Sequence, residues 1–194
     1  VYKRQALKSY ETALEIITSG QFRDNPGQEA IEEIASLYIN LAVLNLDMQH
    51  KDEAAKNAEM SGQWITHSDD PALKSTIFGV VGSVLTGCGD LDKAMRYQDM
   101  AYSNALEATD TESAFRAAAY TMLIADRLGD KDKAQSWRGK CLSLMPEVKS
   151  AMALLVYYQA ECSICLKNND QTGALVYFDK ILSIDAVSYT HLTL

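Results

Sequence analysis

The sequence contains few of the residues that define disordered, collagen-like or disulfide-stapled chains. Only three prolines and four cysteines occur among its 194 residues, against 47% hydrophobic residues. This composition is typical of a folded globular protein and excludes those three classes. The longest unbroken apolar run, from Ala151 to Tyr158, is too short to span a bilayer. We therefore expect neither a transmembrane helix nor a membrane partner in this fragment.

Basic residues are also scarce. Lysine and arginine total 18, against 26 aspartates and glutamates, which leaves a formal net charge of -8. A negative chain repels phosphate backbones and no local basic patch compensates, so we expect no direct nucleic-acid partner. The four cysteines are scattered without an evident pairing, which favours a reducing compartment and a cytoplasmic location.

The two ends of the sequence resemble a translated sequencing adapter, the inverted end of a transposon. Residues 1–5 can be encoded by GTGTATAAGAGACAG, and residues 187–194 together with Ala186 by a string that contains its reverse complement. An adapter origin predicts that authentic protein covers 6–186 and that both true termini are missing. A periplasmic sensor domain is then the alternative to a cytoplasmic location. The other interpretation of the ends is an ordinary helix start and a flexible tail.

An internal repeat organises the sequence between these ends, with a period of about forty positions. Its register is set by four equally spaced alanines: Ala54, Ala94, Ala134 and Ala174. Three of them follow a residue that tolerates positive φ and an aspartate that can cap a helix, as in Gly89-Asp90. Each copy therefore predicts two helices joined by a tight turn. The first copy has Gln49-His50 at this place, which is a weaker turn signal.

On this register the sequence predicts a single helical repeat domain over 6–186. A lone helix at 6–18 precedes four helix pairs at about 28–67, 71–108, 111–144 and 147–184. Asp70-Pro71 is expected to start one helix, and Thr109 with Glu112 to form a capping box at another. Residues 20–27 are predicted to form a loop that connects the lone helix to the pairs.

These pairs resemble the tetratricopeptide repeat (TPR), whose signature places Leu-Gly and Tyr on the first helix and Ala with an aromatic residue on the second. The second pair comes closest, with Phe78, Val81, Gly82 and Leu85 on its first helix, whereas the fourth pair departs from the pattern at Glu161. The resemblance implies an all-α fold, a right-handed α-solenoid of antiparallel helix pairs that forms a TPR-like superhelix. HEAT-type repeats, whose length range begins near this period, are the alternative.

The resemblance further implies a non-catalytic module that binds a protein or peptide partner. In families of this kind the concave face, lined by the first helix of each pair, takes a peptide or a partner segment. Counting along those helices places groove-lining positions on Asn40, Val43, Ser83, Arg116, Tyr120, Gln159 and Ser163. Asn40 and Gln159 can donate and accept hydrogen bonds, and Arg116 can hold a carboxylate. The alternative is that divergence of the repeats has erased any groove.

A signal-input domain of a bacterial transcriptional regulator or histidine kinase is a second functional hypothesis. It rests on the long period of the divergent repeats and on the lack of an enzyme motif. A thiol redox enzyme is the third, because Cys162 and Cys165 have the spacing of a redox or metal motif, although their small-residue positions on a helix favour packing. No zinc set, phosphate loop or dinucleotide motif accompanies them, so we predict no cofactor, no metal and no catalytic residue.

Overall fold

The computed structural model describes residues 2–19 and 26–190, and at residues 19 and 185–190 it describes the backbone alone. This described part is helical and contains no β-strand. Most of the predicted connecting loop, residues 20–25, lies outside the described residues, as do Val1 and residues 191–194 of the adapter-like ends. The adapter origin of the two ends stays a prediction.

Every helix that the repeat register predicts is present. The helices are α1 (Tyr2–Ser19), α2 (Gln28–Asp47), α3 (Lys51–Ile65), α4 (Pro71–Cys88), α5 (Leu91–Glu107), α6 (Thr111–Leu128), α7 (Lys131–Leu144), α8 (Ala151–Lys167) and α9 (Gln171–Thr190). One 3₁₀ turn, Met145–Glu147, separates α7 from α8. The paired helices are thus α2 with α3, α4 with α5, α6 with α7, and α8 with α9.

The turns inside the pairs have the same backbone geometry in all four copies. Their first residues, Gln49, Gly89, Gly129 and Asn169, all have positive φ, at 64°, 98°, 83° and 58°. In the last three copies an aspartate follows and caps the next helix, as Asp90 does by accepting the Lys93 N–H at 3.2 Å. In the first copy His50 follows and makes no side-chain cap. The turn is therefore confirmed even where its sequence signal is weak.

α8 begins later than the sequence predicts. The fourth pair is predicted to start at 147, but Met145–Glu147 forms the 3₁₀ turn around Pro146 and α8 starts at Ala151. Ser150 is the N-cap of α8, and its Oγ accepts the Ala153 N–H at 3.2 Å. Serine is a favoured N-cap because its side chain satisfies a backbone donor in the first turn. α8 therefore begins directly after a capping serine.

The predicted capping box at Thr109 and Glu112 is wrong. Asp110 is the N-cap of α6, and its Oδ1 accepts the Ser113 N–H at 3.0 Å. The Glu112 side chain does not complete a capping box. Its Oε1 accepts hydrogen bonds from the backbone N–H groups of residues 149 and 150, at 3.2 and 3.0 Å. Because these donors precede α8, the carboxylate of Glu112 ties the start of α8 to the start of α6.

The chain divides into two compact units, Val1–Thr109 with α1 to α5 and Asp110–Leu194 with α6 to α9. We call them unit 1 and unit 2. In unit 1, α1 packs on α2, α2 and α3 pack on each other and on α4, and α4 packs on α5. In unit 2, α6 packs on α7 and α8, and α8 packs on α9. The predicted single domain over 6–186 stays a prediction.

Close helix contacts in unit 1 depend on glycine. Tyr97 of α5 lies across Gly62 of α3, where an added Cβ would meet the tyrosine ring at 2.5 Å. Gln98 of α5 lies over Gly82 of α4 and donates from Nε2 to the carbonyl of Gly79 at 2.9 Å. The surrounding core contains Ile34, Ile65, Phe78 and Leu85, all almost fully buried. The missing side chain at Gly82 allows α4 and α5 to approach, and the missing side chain at Gly62 makes room for the Tyr97 ring.

α4 is the one helix in the described part that is long and apolar enough, by length and composition, to cross a membrane. This is weak evidence for a span, because the core helix of a folded protein has the same composition. Asp70 caps the helix as predicted, and its Oδ1 accepts the N–H groups of Ala72 and Leu73 at 2.8 and 3.2 Å. Phe78 and Leu85 of α4 lie in the core of unit 1.

The four repeat alanines are not equally buried. Ala54, Ala94 and Ala174 are buried, but Ala134 on α7 is only half-buried. It lines a cavity of about 310 Å³ together with Met122 of α6 and Ile164 of α8. Within the described residues, α8 packs more closely on α6 and α9 than on α7. Ala134 therefore borders open space, whereas Ala54 and Ala94 are fully covered.

Candidate functional site

α6 is buried on nearly all sides. Eleven of its 18 residues are buried, among them Phe115 and Met122. Between its first and last turns, the accessible positions are Arg116, Tyr120 and Leu123, each half-buried. Residues spaced i, i+4 and i+7 lie on one side of a helix. These three residues form one narrow accessible strip, which we call the α6 stripe.

Arg116 is the charged residue of the α6 stripe. Its Nη2 donates to Ser113 Oγ at 3.0 Å, which orients the guanidinium along the first turn of the helix. Burial raises the pKa of Asp110, but hydrogen bonds from residues 112 and 113 and the charge of Arg116 outweigh burial and leave that pKa below its usual value. Asp110 is therefore ionised at neutral pH and stabilises both the helix N-terminus and Arg116.

The other predicted groove residues of unit 2 lie on the helix next to α6. Gln159 and Ser163 are exposed and spaced i, i+4 on α8, which packs against α6. Unit 2 therefore places four of the predicted residues, Arg116, Tyr120, Gln159 and Ser163, on two neighbouring helices. Together they offer one cation, one amide, two hydroxyls and an aromatic ring.

Unit 1 places the remaining predicted residues on α2 and α4. Asn40 and Val43 are exposed on α2, and Ser83 is half-buried on α4, which packs against α2. Asn40 and Val43 are accessible on one side of α2, and the other side of α2 contributes Ile34, Leu41 and further apolar residues to the core. Each unit therefore has its own set of accessible positions on its first helices. A groove continuous across all four pairs stays a prediction.

A polar network in unit 2 has no counterpart in the sequence-based prediction. Arg138 of α7 donates from Nε and Nη2 to the two carboxylate oxygens of Glu161 on α8, at 2.7 and 2.5 Å. Tyr157 donates its hydroxyl to Glu161 Oε1 at 2.8 Å, and its ring lies 5.6 Å from that of Phe115. The Glu161 side chain is 2% exposed and that of Arg138 is 31% exposed. A bidentate, charge-assisted pair thus joins α7 to α8.

The repeat register shows how unusual this network is. The positions equivalent to Glu161 in the other pairs are the buried residues Leu41, Val81 and Thr121. The position equivalent to Arg138 is Gln98 in the second pair and Ala58 in the first, both fully buried. Burying an unpaired carboxylate is costly, so an acid at a position that is buried in the other pairs indicates that it has a partner. No feature of the sequence identified Arg138 as that partner.

Arg138, Tyr157 and Cys141 of this region stay protonated at neutral pH. The hydrogen bond to Glu161 raises the pKa of Arg138, and burial followed by the bond to Glu161 raises the pKa of Tyr157. Burial, with the charge of Glu161 added, raises the pKa of Cys141 to about 12. Arg138 therefore stays charged, while Tyr157 and Cys141 stay protonated. This favours a role in holding α7 and α8 together over a role in proton transfer.

The thiols of the predicted redox motif are held in the same region. Cys162 and Cys165 are half-buried on α8, and Cys162 Sγ lies 3.7 Å from the carbonyl oxygen of Ala174. Burial, with the nearby charge of Asp170, raises the pKa of Cys165. A raised pKa lowers the thiolate fraction, which disfavours thiol chemistry at this residue. No group of three or more His, Cys, Asp and Glu side chains placed to hold a metal ion occurs among the described residues.

Solved structures share this fold, BtubC and MamA among them. BtubC (BKLC) from P. vanneervenii superposes with a TM-score of 0.68 at 15% identity, covering 95% of this chain and 74% of its own. MamA superposes with a TM-score of 0.55 at 16% identity, covering 95% of this chain and 89% of its own. No family model and no curated protein sequence matches the chain. At these identities the similarity is one of fold, and it confirms the predicted class, an all-α, TPR-like solenoid of antiparallel helix pairs.

Proposed function

We propose that this chain is a non-catalytic helical-repeat module that binds a protein or peptide segment through the accessible positions of its first helices. The observation that carries the proposal is the α6 stripe. A helix buried on nearly all sides keeps one accessible strip, and two of its three residues, Arg116 and Tyr120, are positions that the TPR resemblance assigns to a groove. Repeat proteins of this kind use such strips as extended binding surfaces.

The chemistry of these positions suits an extended peptide. Asn40 on α2 and Gln159 on α8 carry amides that donate and accept at once, as a peptide backbone requires. Tyr120 offers a ring and a hydroxyl at low entropic cost, and Arg116 offers a planar cation for an acidic side chain. The four free cysteines support the accompanying proposal of a cytoplasmic location.

A displayed library of random short peptides, selected on the immobilised chain, tests this function. Enriched peptides are then titrated by fluorescence anisotropy against wild type, Arg116→Ala/Tyr120→Ala in unit 2 and Asn40→Ala/Val43→Ala in unit 1. We expect at least one of the double variants to weaken binding by about tenfold, because central aromatic and arginine contacts dominate such interfaces. The thermal midpoints should stay near that of wild type, since these side chains are partly exposed.

Arg96→Ala is the matched control, because Arg96 is an exposed arginine on α5, the second helix of its pair. It should bind every selected peptide as wild type does. Equal affinities in all the variants would contradict the proposal and move the binding surface away from the first helices. Weaker binding that appears only together with a lower thermal midpoint would contradict it as well.

A further inference from the structure

A cavity of about 440 Å³ opens between the last three helices of unit 2. Its lining includes Arg138 and Leu142 of α7, Glu161 of α8, and Tyr177 and Lys180 of α9. The volume is in the range of small-molecule sites, which combine a mostly apolar wall with a few fixed polar groups. It involves none of the predicted groove residues, so it forms a separate candidate site.

Both carboxylates in the lining are already engaged. Glu161 accepts two hydrogen bonds from Arg138 and one from Tyr157. Asp170 is the N-cap of α9, where its Oδ1 accepts the Gly173 N–H at 2.9 Å. The positive end of the α9 dipole further offsets its charge. Neither acid therefore needs a cation from a ligand.

The two cations in the lining retain unused capacity. Lys180 Nζ lies over the rings of Tyr158 and Tyr177, at 5.0 and 5.3 Å from their centroids, and no ion pair joins it to a carboxylate in the described part of the chain. Arg138 contacts Gln135 Oε1 from Nη1 at 3.3 Å, in addition to its two bonds to Glu161. A guanidinium has five N–H groups, so donors remain on its outer edge.

Apolar groups complete the wall of the cavity. Leu142 and Val176 are 52% and 50% exposed, a large fraction for aliphatic side chains, and the ring of Tyr177 stands beside them. A ligand that occupied the cavity would cover this apolar surface while it approached Lys180. The wall therefore favours a ligand with an apolar body and a charged end.

We propose that this cavity binds a single carboxylate carried on an apolar or aromatic body, with Lys180 and the outer edge of Arg138 as its donors. The lining contributes two positive and two negative side chains, so a monoanion is balanced better than a dianion, which would face Glu161 and Asp170 with a second negative charge. Such a carboxylate can belong to a small organic acid or to a peptide residue. The binding chemistry is the same for both sources.

Isothermal titration of the whole chain with hydrocinnamate tests this site, and hydrocinnamamide is the neutral isostere. We expect the acid to bind and the amide to bind at least tenfold more weakly, because a charge-assisted contact is lost. Lys180→Gln should weaken hydrocinnamate binding by about tenfold. Lys149→Gln, which removes an exposed lysine of unit 2 outside the cavity, should leave the affinity unchanged.

Acetyl-phenylalanine with a free and with an amidated carboxyl group distinguishes the two sources of the carboxylate. Tighter binding of the free form than of hydrocinnamate supports the site with a peptide residue as its ligand, and the reverse supports it with a small acid. Equal binding of acid and amide, an equal loss in Lys149→Gln, tighter binding of inorganic phosphate, or no binding of any probe would each overturn the proposal. The side-chain Nε–H resonance of Arg138 should shift on titration, which a carboxylate bound elsewhere would not cause.

Discussion

Unit 1 and unit 2 follow the same repeat register, but different side chains lie between their packed helices. In unit 1 the glycines at 62 and 82 let Tyr97 and Gln98 lie directly on helix backbone. In unit 2 the contact between α7 and α8 depends on the Arg138–Glu161 pair, and cavities of about 310 and 440 Å³ flank Arg138. Glycines allow close helix contacts in unit 1, where a charged pair, Lys93–Glu59, also joins α5 to α3 beside a cavity of about 290 Å³. The pair in unit 2 differs because its carboxylate is almost fully buried.

The comparison shows that a small residue in the sequence does not by itself produce a close helix contact. Ala94 and Ala134 occupy equivalent repeat positions, but Ala94 is fully buried and Ala134 borders a cavity. Gly139 of α7 likewise has open space where an added Cβ would lie. A close contact needs a partner helix at the right distance, and within unit 2 α8 packs on α6 and α9 more closely than on α7.

The largest effect should come from breaking the charged bridge of unit 2. Arg138→Met removes both donors to the carboxylate and leaves Glu161 buried without its cation, which should cost about 3 kcal/mol of unfolding free energy. Arg138→Met/Glu161→Leu removes both charges and installs the residue found at equivalent position 41. The double variant should unfold near wild type in urea. An equal loss in the single and double variants would contradict the role of the bridge.

The second prediction compares the cost of a large side chain at the two equivalent alanines, Ala94 and Ala134. Ala94→Leu adds a large side chain to a closed contact in unit 1 and should lower the free energy of unfolding by about 1–3 kcal/mol. Ala134→Leu adds the same atoms beside the 310 Å³ cavity and should cost clearly less. Urea unfolding of both variants measures the difference. A cost at Ala134 as large as that at Ala94 would show that both positions are equally closed.

Two glycines test the same comparison without changing the register. Gly82→Ala places a Cβ at 2.7 Å from Nε2 of Gln98, which is fully buried, so overpacking should outweigh the gain in helix propensity and cost about 1 kcal/mol. Gly139→Ala meets no atom within 4 Å and should stabilise unit 2 by about 0.5–1 kcal/mol. Thermal and urea unfolding should therefore give opposite signs for the two variants. The same sign for both would remove the distinction between the units.

The smallest effect concerns the turns. His50 makes no side-chain cap in unit 1, whereas Asp130 caps the equivalent helix in unit 2. His50→Asp should therefore stabilise the chain by about 0.5–1 kcal/mol, and Asp130→Ala should destabilise it by a similar amount. Urea unfolding measures both. A neutral His50→Asp would show that the first turn cannot use a carboxylate cap.

The sequence by itself predicted the helices, their turns and the fold class. These depend on signals between close neighbours in the chain, such as Gly89 before the cap Asp90, and the repeat brings a similar signal back in three of the four copies. Local signals were insufficient where two acceptors competed for the same turn. Asp110 caps α6 in place of Thr109. At α8, the N-cap is Ser150, and the helix begins after it and not at the predicted 147.

Only the tertiary structure decided which side chains meet across helices. Arg138 and Glu161 are 23 residues apart and lie on different helices, so their pairing depends on the distance between α7 and α8. The same holds for Ala134, whose burial is set by neighbouring helices and not by its own size. A carboxylate in an apolar position can be recognised from the sequence, but its partner depends on how closely the helices pack.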